Sequence, residues 1–162
     1  MKKNNINQVP SNICDEPYIT PTKEDLQRRF KEYNELYFYG ELPKCPISIG
    51  CNKKIGWGVY VGRGKIKPHI YICGTAYWTD ETLKAIIIHE MVHHYVEKVV
   101  KPKFWEPPHG YHFTKKCKSL EKEFGLKVEM SNIPLSQLKG EIVPTSWFGE
   151  MRRRFLGPKF LK

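Results

Sequence analysis

The sequence has no long apolar run, and this absence excludes a membrane-spanning helix. No stretch reaches the roughly 18 consecutive apolar residues that such a helix needs. The first residues are basic and polar, and no apolar segment follows them that could act as a secretion signal. A cytoplasmic protein with no membrane partner is therefore expected.

Cysteine is scarce and scattered along the chain. The five residues are Cys14, Cys45, Cys51, Cys73 and Cys117, and no two of them form a C-x-x-C pair. This spacing excludes a four-cysteine zinc ribbon, and an odd number of thiols in a cytoplasmic protein argues against a disulfide framework. We expect reduced thiols that are mostly buried as small apolar side chains.

Acidic residues are few relative to basic ones. The 162-residue chain has 17 acidic and 27 basic side chains, which gives a formal net charge of +10 and a pI of about 9.4. A surplus of this size attracts polyanions such as nucleic acid, although it says nothing of the fold. An apolar content of 40% and an aromatic content of 13% are typical of a globular chain, and the length suits one domain.

Turn signals and hydrophobic periodicity predict an α+β domain between two polar ends. The predicted elements are helices over 22–39, 80–100 and 110–124, and short strands over 47–51, 55–61 and 69–73. The glycines on either side of Arg63 supply a turn between the second and third strands, so a small three-stranded antiparallel sheet is expected to pack against the helices. The domain is assigned to 22–126, a flexible arm to 1–21 and a basic extension to 127–162.

The helix predicted over 80–100 is the strongest element. Thr79 or Asp80 can cap its first turn, and the lysine–proline pair at 101–102 ends it. Apolar residues surround most of its circumference, which is typical of a helix buried at the centre of a domain. His89 and Glu90 interrupt this apolar surface, and such side chains are costly inside a domain unless they are paired or bind a metal.

This buried helix carries the motif H-E-x-x-H over residues 89–93. Histidines at i and i+4 lie on the same helix face, so His89 and His93 can converge on one metal ion. Glu90 adjoins the first histidine, where its carboxylate can reach a metal-bound water without ligating the metal. His94 lies about 100° further round the helix and is expected to point away from the ion.

A catalytic zinc site needs three protein ligands and one open position, so a third ligand must come from elsewhere in the chain. The metzincin continuation is excluded, because Val96 and Val99 stand where a glycine and a histidine are required. His109 is the favoured candidate, since it follows a stiff proline loop and immediately precedes the third helix. The rival candidates are His112 and, for a gluzincin-type site, Glu121 or Glu123.

Several motifs in the correct order resemble the SprT-like family of zinc metalloproteases, which includes the Spartan DNA–protein crosslink proteases. The resemblance covers about residues 24–126. It begins at Leu26, Phe30, Asn34, Tyr37, Phe38, Gly40, Leu42 and Pro43 and continues to the H-E-x-x-H block. It ends at His109-Gly110-x-x-Phe113, which is similar to the family's third-ligand signature H-G-x-x-F.

The resemblance implies a minimal zincin-like fold and a zinc-dependent endopeptidase. It implies one catalytic Zn²⁺ held by His89, His93 and His109, with Glu90 as the base that activates the zinc-bound water. By analogy with zincins, a protein or peptide substrate would lie along an exposed sheet edge.

Three further features bear on this interpretation. Tyr95 and Tyr111 are candidate donors to the oxyanion that forms during peptide hydrolysis. Family members often carry an acidic residue where His112 stands. Many also carry a C-terminal four-cysteine ribbon, which this sequence lacks, so the DNA-linked role of the family is less strongly indicated here.

A rival hypothesis treats the chain as a basic nucleic-acid-binding module with a structural or vestigial zinc site. The candidate phosphate contacts are Arg152, Arg153, Arg154, Lys159 and Lys162 in the tail, with Arg63, Lys65 and Lys67 in the loop, and the candidate stacking residues are Trp57, Trp78, Trp105 and Trp147. The plainer interpretation is a solvated charged tail and core tryptophans. An intact Glu90 favours the protease, whose partners would then include single-stranded DNA or DNA-bound proteins if both hypotheses hold.

Overall fold

The computed structural model describes residues 18–50, 57–74, 76, 78–103, 105–126 and 128. The elements in these ranges are α1 (Lys23–Phe38), β1 (Ile47–Gly50), β2 (Gly58–Val61), β3 (His69–Cys73), α2 (Asp80–Tyr95), a π-helical turn (Val96–Val100) and α3 (Tyr111–Phe124). The predicted α+β class is therefore confirmed. Helices α1 and α3 lie within one residue of their predicted bounds, whereas the helix predicted over 80–100 is α-helical only to Tyr95 and continues as the π-helical turn to Val100. Residues 1–17 of the arm predicted over 1–21, and most of the basic extension, lie outside the described residues.

Helices α1 and α2 both begin at a threonine cap. The Thr22 hydroxyl accepts the backbone N–H of Asp25 at 3.1 Å. At α2, Thr79 rather than Asp80 is the N-cap, and its hydroxyl accepts the backbone N–H of Thr82 while the Thr82 hydroxyl accepts that of Thr79. This reciprocal pair satisfies two backbone donors that a helix start otherwise leaves without partners.

The sheet is mixed, so the prediction of a purely antiparallel sheet was wrong. The strand order is β1-β3-β2, and β1 runs parallel to β3 while β2 runs antiparallel to it. Alternating apolar residues determine which side chains face the core, but that face is the same for either strand direction. Strand β3 takes the central position, with β1 on one edge of the sheet and β2 on the other.

Helix α2 lies at the centre of the domain, as predicted. Its buried apolar residues are Leu83, Ile86, Ile87, Ile88, Met91 and Val92, and they form one core with the inner face of the sheet and with α1 and α3. No helix in the described ranges is long and apolar enough to cross a bilayer.

Three of the cysteines can be located, and all three are reduced and buried, as expected: Cys45, Cys73 and Cys117. Burial raises the pKa of the Cys45 thiol to about 12, so this thiol stays protonated and unreactive near neutral pH. Cys14 and Cys51 lie outside the described residues.

The side chain of Asn34 forms two hydrogen bonds to the loop that follows α1. Its amide Nδ2 donates to the Leu42 carbonyl at 3.2 Å, and its Oδ1 accepts the Leu42 backbone N–H at 3.1 Å. The side-chain amide therefore pairs with both backbone groups of Leu42, as a residue of a neighbouring strand would. Only a side chain with both a donor and an acceptor can make these two bonds.

Replacing Asn34 with Ala is expected to lower the free energy of unfolding by about 2 kcal/mol, because two partly buried hydrogen bonds are lost at about 1 kcal/mol each. Urea denaturation measures this change. Lys31→Ala, on the exposed side of the same helix, serves as the control and is expected to stay within about 0.5 kcal/mol of the parent. Equal stability of the two variants would contradict this role for Asn34.

Candidate metal centre

Three imidazole rings converge between α2 and the start of α3. His89 and His93 lie one turn apart on α2, and His109 immediately precedes the N-cap of α3. One ring nitrogen from each of the three lies within 4.8 Å of the other two. The ring centroids are 4.9, 5.1 and 4.9 Å apart, so the rings form a nearly regular triangle.

The hydrogen bonding of His89 shows that this triangle suits a metal ion. Its Nδ1–H donates to the backbone carbonyl of Val128 at 3.1 Å, which leaves the Nε2 lone pair facing the Nε2 of His109, also at 3.1 Å. Two ligands of a tetrahedral zinc ion lie about 3.3 Å apart at ordinary zinc–nitrogen distances. The imidazole donor set and its spacing therefore fit zinc.

Phe113 forms an apolar floor beneath the three rings. Its ring centroid lies 5.0 Å from that of His89, 4.4 Å from that of His93 and 4.7 Å from that of His109. The H-G-x-x-F signature singled out Phe113 in the sequence, but it did not indicate contact with all the candidate ligands. This packing limits ring rotation, which is how a supporting residue keeps a ligand in position.

Glu90 is buried beside the histidines, with 4% of its surface exposed. The backbone of Gly58, at the start of β2, passes directly over it: a Cβ built on Gly58 would lie 3.2 Å from Glu90 Oε1 and 3.0 Å from Ile86 Cγ1. The strand can run this close because residue 58 has no side chain. Sequence reasoning missed Gly58, although a glycine within a strand is a known sign of close backbone approach.

The variant Gly58→Ala is expected to displace the Glu90 side chain by a few tenths of an ångström. This shift is expected to lower kcat of any peptide cleavage several-fold, up to roughly tenfold, since a misplacement near 1 Å can cost about 100-fold. Zinc affinity is expected to stay unchanged. Gly64→Ala provides the control, because a Cβ there meets no atom within 4 Å although φ is +61°. It is expected to lose about 1 kcal/mol of stability and no activity. A kcat for Gly58→Ala equal to that of the control would contradict the contact.

The comparison with protein families agrees with this geometry. The SprT-like family model matches residues 26–132, which is more than half of the chain. The chain belongs to the SprT-like family. No curated protein matches it. The residues of this SprT-like domain that the family model matches include Val128, whose backbone carbonyl accepts a hydrogen bond from His89. Every residue has a backbone carbonyl, so this contact could not be predicted from the sequence.

His94 lies outside the cluster of three histidines and connects elements of the SprT-like domain to one another. It is fully buried, at 0% exposure, and does not lie at the surface. Burial holds the pKa of this imidazole below its ordinary value, so the ring is neutral. Its Nε2–H donates to the Pro43 carbonyl at 2.9 Å, and its Nδ1 accepts from the Tyr60 hydroxyl at 3.2 Å. The ring therefore ties α2 to β2 and to the loop before β1.

The rival third ligands lie apart from the cluster. The Nδ1–H of His112 donates to the Glu106 carboxylate at 2.8 Å. Glu121 and Glu123 are exposed on α3, and Glu123 accepts from the Tyr39 hydroxyl. Within the described part of the chain, the only group of three or more metal-capable side chains is His89, His93 and His109.

The two candidate oxyanion donors differ in their surroundings. The ring of Tyr95 lies 6.0 Å from that of Phe38, and the Lys116 ammonium lies over it at 4.6 Å, which places Tyr95 where the three helices meet. Tyr111 is 67% exposed and lies two residues after His109.

The residues of the nucleic-acid hypothesis are only partly described. Trp78 is fully buried, its indole N–H donates to the Cys73 carbonyl, and the ring of Trp57 packs against it at 5.6 Å, so these two tryptophans belong to the core. Trp105 is exposed. Outside the described residues lie Trp147, Arg152, Arg153, Arg154, Lys159 and Lys162.

Proposed function

We propose that this SprT-like protein is a zinc-dependent endopeptidase. The observation that carries the proposal is the convergence of three imidazoles beside a buried glutamate, under a strand at the edge of the sheet. His89, His93 and His109 would hold the zinc, and Glu90 would act as the base. Membership of the SprT-like family supports the choice of metal and reaction.

Bound zinc would act as a Lewis acid toward the scissile carbonyl and lower the pKa of a water molecule to about 7. The proton transfers are assigned to a side chain of the protein, Glu90. The Glu90 carboxylate accepts a proton from the attacking water and passes it to the leaving amine nitrogen as the peptide bond breaks. Its burial beneath the backbone of Gly58 restricts the carboxylate to few positions, which suits a group that must meet both atoms.

The edge strand β2 is the proposed substrate-binding element. Among the described residues β2 pairs only with β3, so its other edge can pair with an extended peptide. Gly58 on this strand touches the side chain of Glu90, and a peptide paired there would pass close to the carboxylate. Because such pairing uses backbone atoms, the sequence preference is expected to be broad and unfolded segments are expected to be preferred.

The test combines metal analysis with a cleavage assay. The purified protein is expected to contain one zinc per chain and to cleave casein, and removal of zinc by a chelator is expected to abolish cleavage until zinc is restored. A protein that binds zinc and cleaves neither casein nor itself would contradict the endopeptidase and favour a structural zinc site.

We further propose that the substrates include DNA-bound proteins, with the net charge of +10 as the supporting observation. Single-stranded DNA is expected to stimulate cleavage at low salt and to lose this effect as the salt concentration rises. Equal cleavage rates with and without DNA at low salt would limit the proposal to proteolysis alone.

A further inference from the structure

Helix α3 begins without a capping side chain of its own, because its N-cap is Gly110. The carboxylate of Glu106 takes that role from the preceding loop. Its Oε1 accepts the backbone N–H of His112 at 3.2 Å, and its Oε2 accepts the Nδ1–H of the same residue at 2.8 Å. One side chain thus satisfies a backbone donor of the first turn and also holds a side chain of that turn.

The loop between Glu106 and His112 is closed tightly around His109. The backbone N–H of Gly110 donates to the Pro107 carbonyl at 2.9 Å. A Cβ on Gly110 would lie 2.9 Å from that carbonyl oxygen and 3.1 Å from Glu106 Oε1, so any other residue would have to shift the Pro107 backbone and displace the carboxylate slightly. His109 is therefore held in a turn that the two hydrogen bonds of Glu106 join to the helix.

His109 needs such support more than the other two histidines do. His89 and His93 are buried on a regular helix, whereas His109 is exposed and lies before the helix begins. Core packing and helical hydrogen bonds fix the first two rings. The position of the third depends on the loop.

We propose that Glu106 is a positioning residue for the third metal ligand, through its double hydrogen bond to His112. This inference rests on the proposed function, since it assumes that the three histidines bind zinc. Glu106 does not belong to the group of three histidines, and it acts through His112. Its effect is to hold the His109 loop at the distance from α2 that the ion requires.

Zinc affinity, measured by competition with a chromophoric chelator, tests this role. Glu106→Ala is expected to bind zinc roughly 10- to 100-fold more weakly than the parent, as is typical for loss of residues that support a ligand. Glu106→Gln is expected to restore most of the affinity, because its amide oxygen can accept the backbone N–H and its amide nitrogen can donate to the other tautomer of His112. The control is Glu121→Ala, an exposed carboxylate on the same helix, with affinity equal to that of the parent.

Two further measurements separate positioning from general stability. The visible absorption spectrum of the Co²⁺-substituted protein is expected to change in Glu106→Ala and to return in Glu106→Gln. His112→Ala keeps the backbone cap and removes only the side-chain bond, so it is expected to fold and to bind zinc a few-fold more weakly than the parent.

The outcomes distinguish this inference from the proposed function. If Glu106→Ala binds zinc as tightly as Glu121→Ala, the positioning role is wrong and the protease proposal is untouched. If Glu106→Ala does not fold, the test depends on His112→Ala. A zinc affinity of His112→Ala equal to that of the parent would then show that the positioning role of Glu106 is wrong. Absence of zinc binding by the parent protein overturns both.

Discussion

Replacing Glu90 with Gln is expected to abolish peptide cleavage while leaving zinc bound. The amide has the size of the carboxylate but cannot take a proton from water, so the general-base contribution is lost. That contribution is typically about 10²- to 10⁴-fold in rate. Since Glu90 adjoins the histidine cluster without belonging to it, the metal content is expected to stay at that of the parent. Casein cleavage and metal analysis on the same preparation measure both quantities.

The matched control for this variant is Glu81→Gln. Glu81 is exposed in the first turn of the same helix, away from the histidines, so its change removes a charge of the same kind without touching the site. Its cleavage rate is expected to equal that of the parent. Undiminished cleavage by Glu90→Gln, with zinc present, would show that another group accepts the proton and that the base is wrongly assigned.

Replacing His109 with Ala is expected to weaken zinc binding by at least about 100-fold. Zinc sites built from protein ligands are worth roughly 10–16 kcal/mol, so one ligand among three or four accounts for about 3 kcal/mol, and each 1.4 kcal/mol is about tenfold in affinity. Cleavage is expected to fall with the bound metal. Chelator competition at a fixed pH measures the affinity.

His112→Ala is the comparison that decides between His109 and His112 as the third ligand. Its ring is held by Glu106 and lies outside the cluster, so its loss is expected to weaken zinc binding by no more than about tenfold. The reverse order, with His112→Ala losing the metal and His109→Ala retaining it, would overturn the ligand set and the geometric argument for a protease with it.

Much of the domain could be predicted because its signals are local. The threonine caps of α1 and α2 lie within one turn of the residues they bind, and the apolar circumference of α2 already indicates burial. The H-E-x-x-H spacing puts His89 and His93 on one helix face wherever that helix packs. These predictions required no knowledge of how the elements are arranged.

The errors and omissions concern contacts between distant segments. The parallel pairing of β1 with β3 joins residues 23 positions apart, and the same side chains would face the core in an antiparallel pair. Gly58 lies over Glu90 because β2 occupies the sheet edge beside α2. The carbonyl of Val128 reaches His89 across thirty-nine positions, and a carbonyl is common to every residue.

The sequence by itself determined the residues on which the proposed chemistry depends: a buried helix with two histidines and a glutamate at a spacing that one helical turn brings together. Only the tertiary structure decided which further groups complete the site, namely His109 rather than His112, the carbonyl behind His89 and the strand above Glu90. The physical reason is the distance along the sequence over which each interaction acts. Helical periodicity and capping act over a few residues, whereas the third ligand and its supports come together only when separate elements pack.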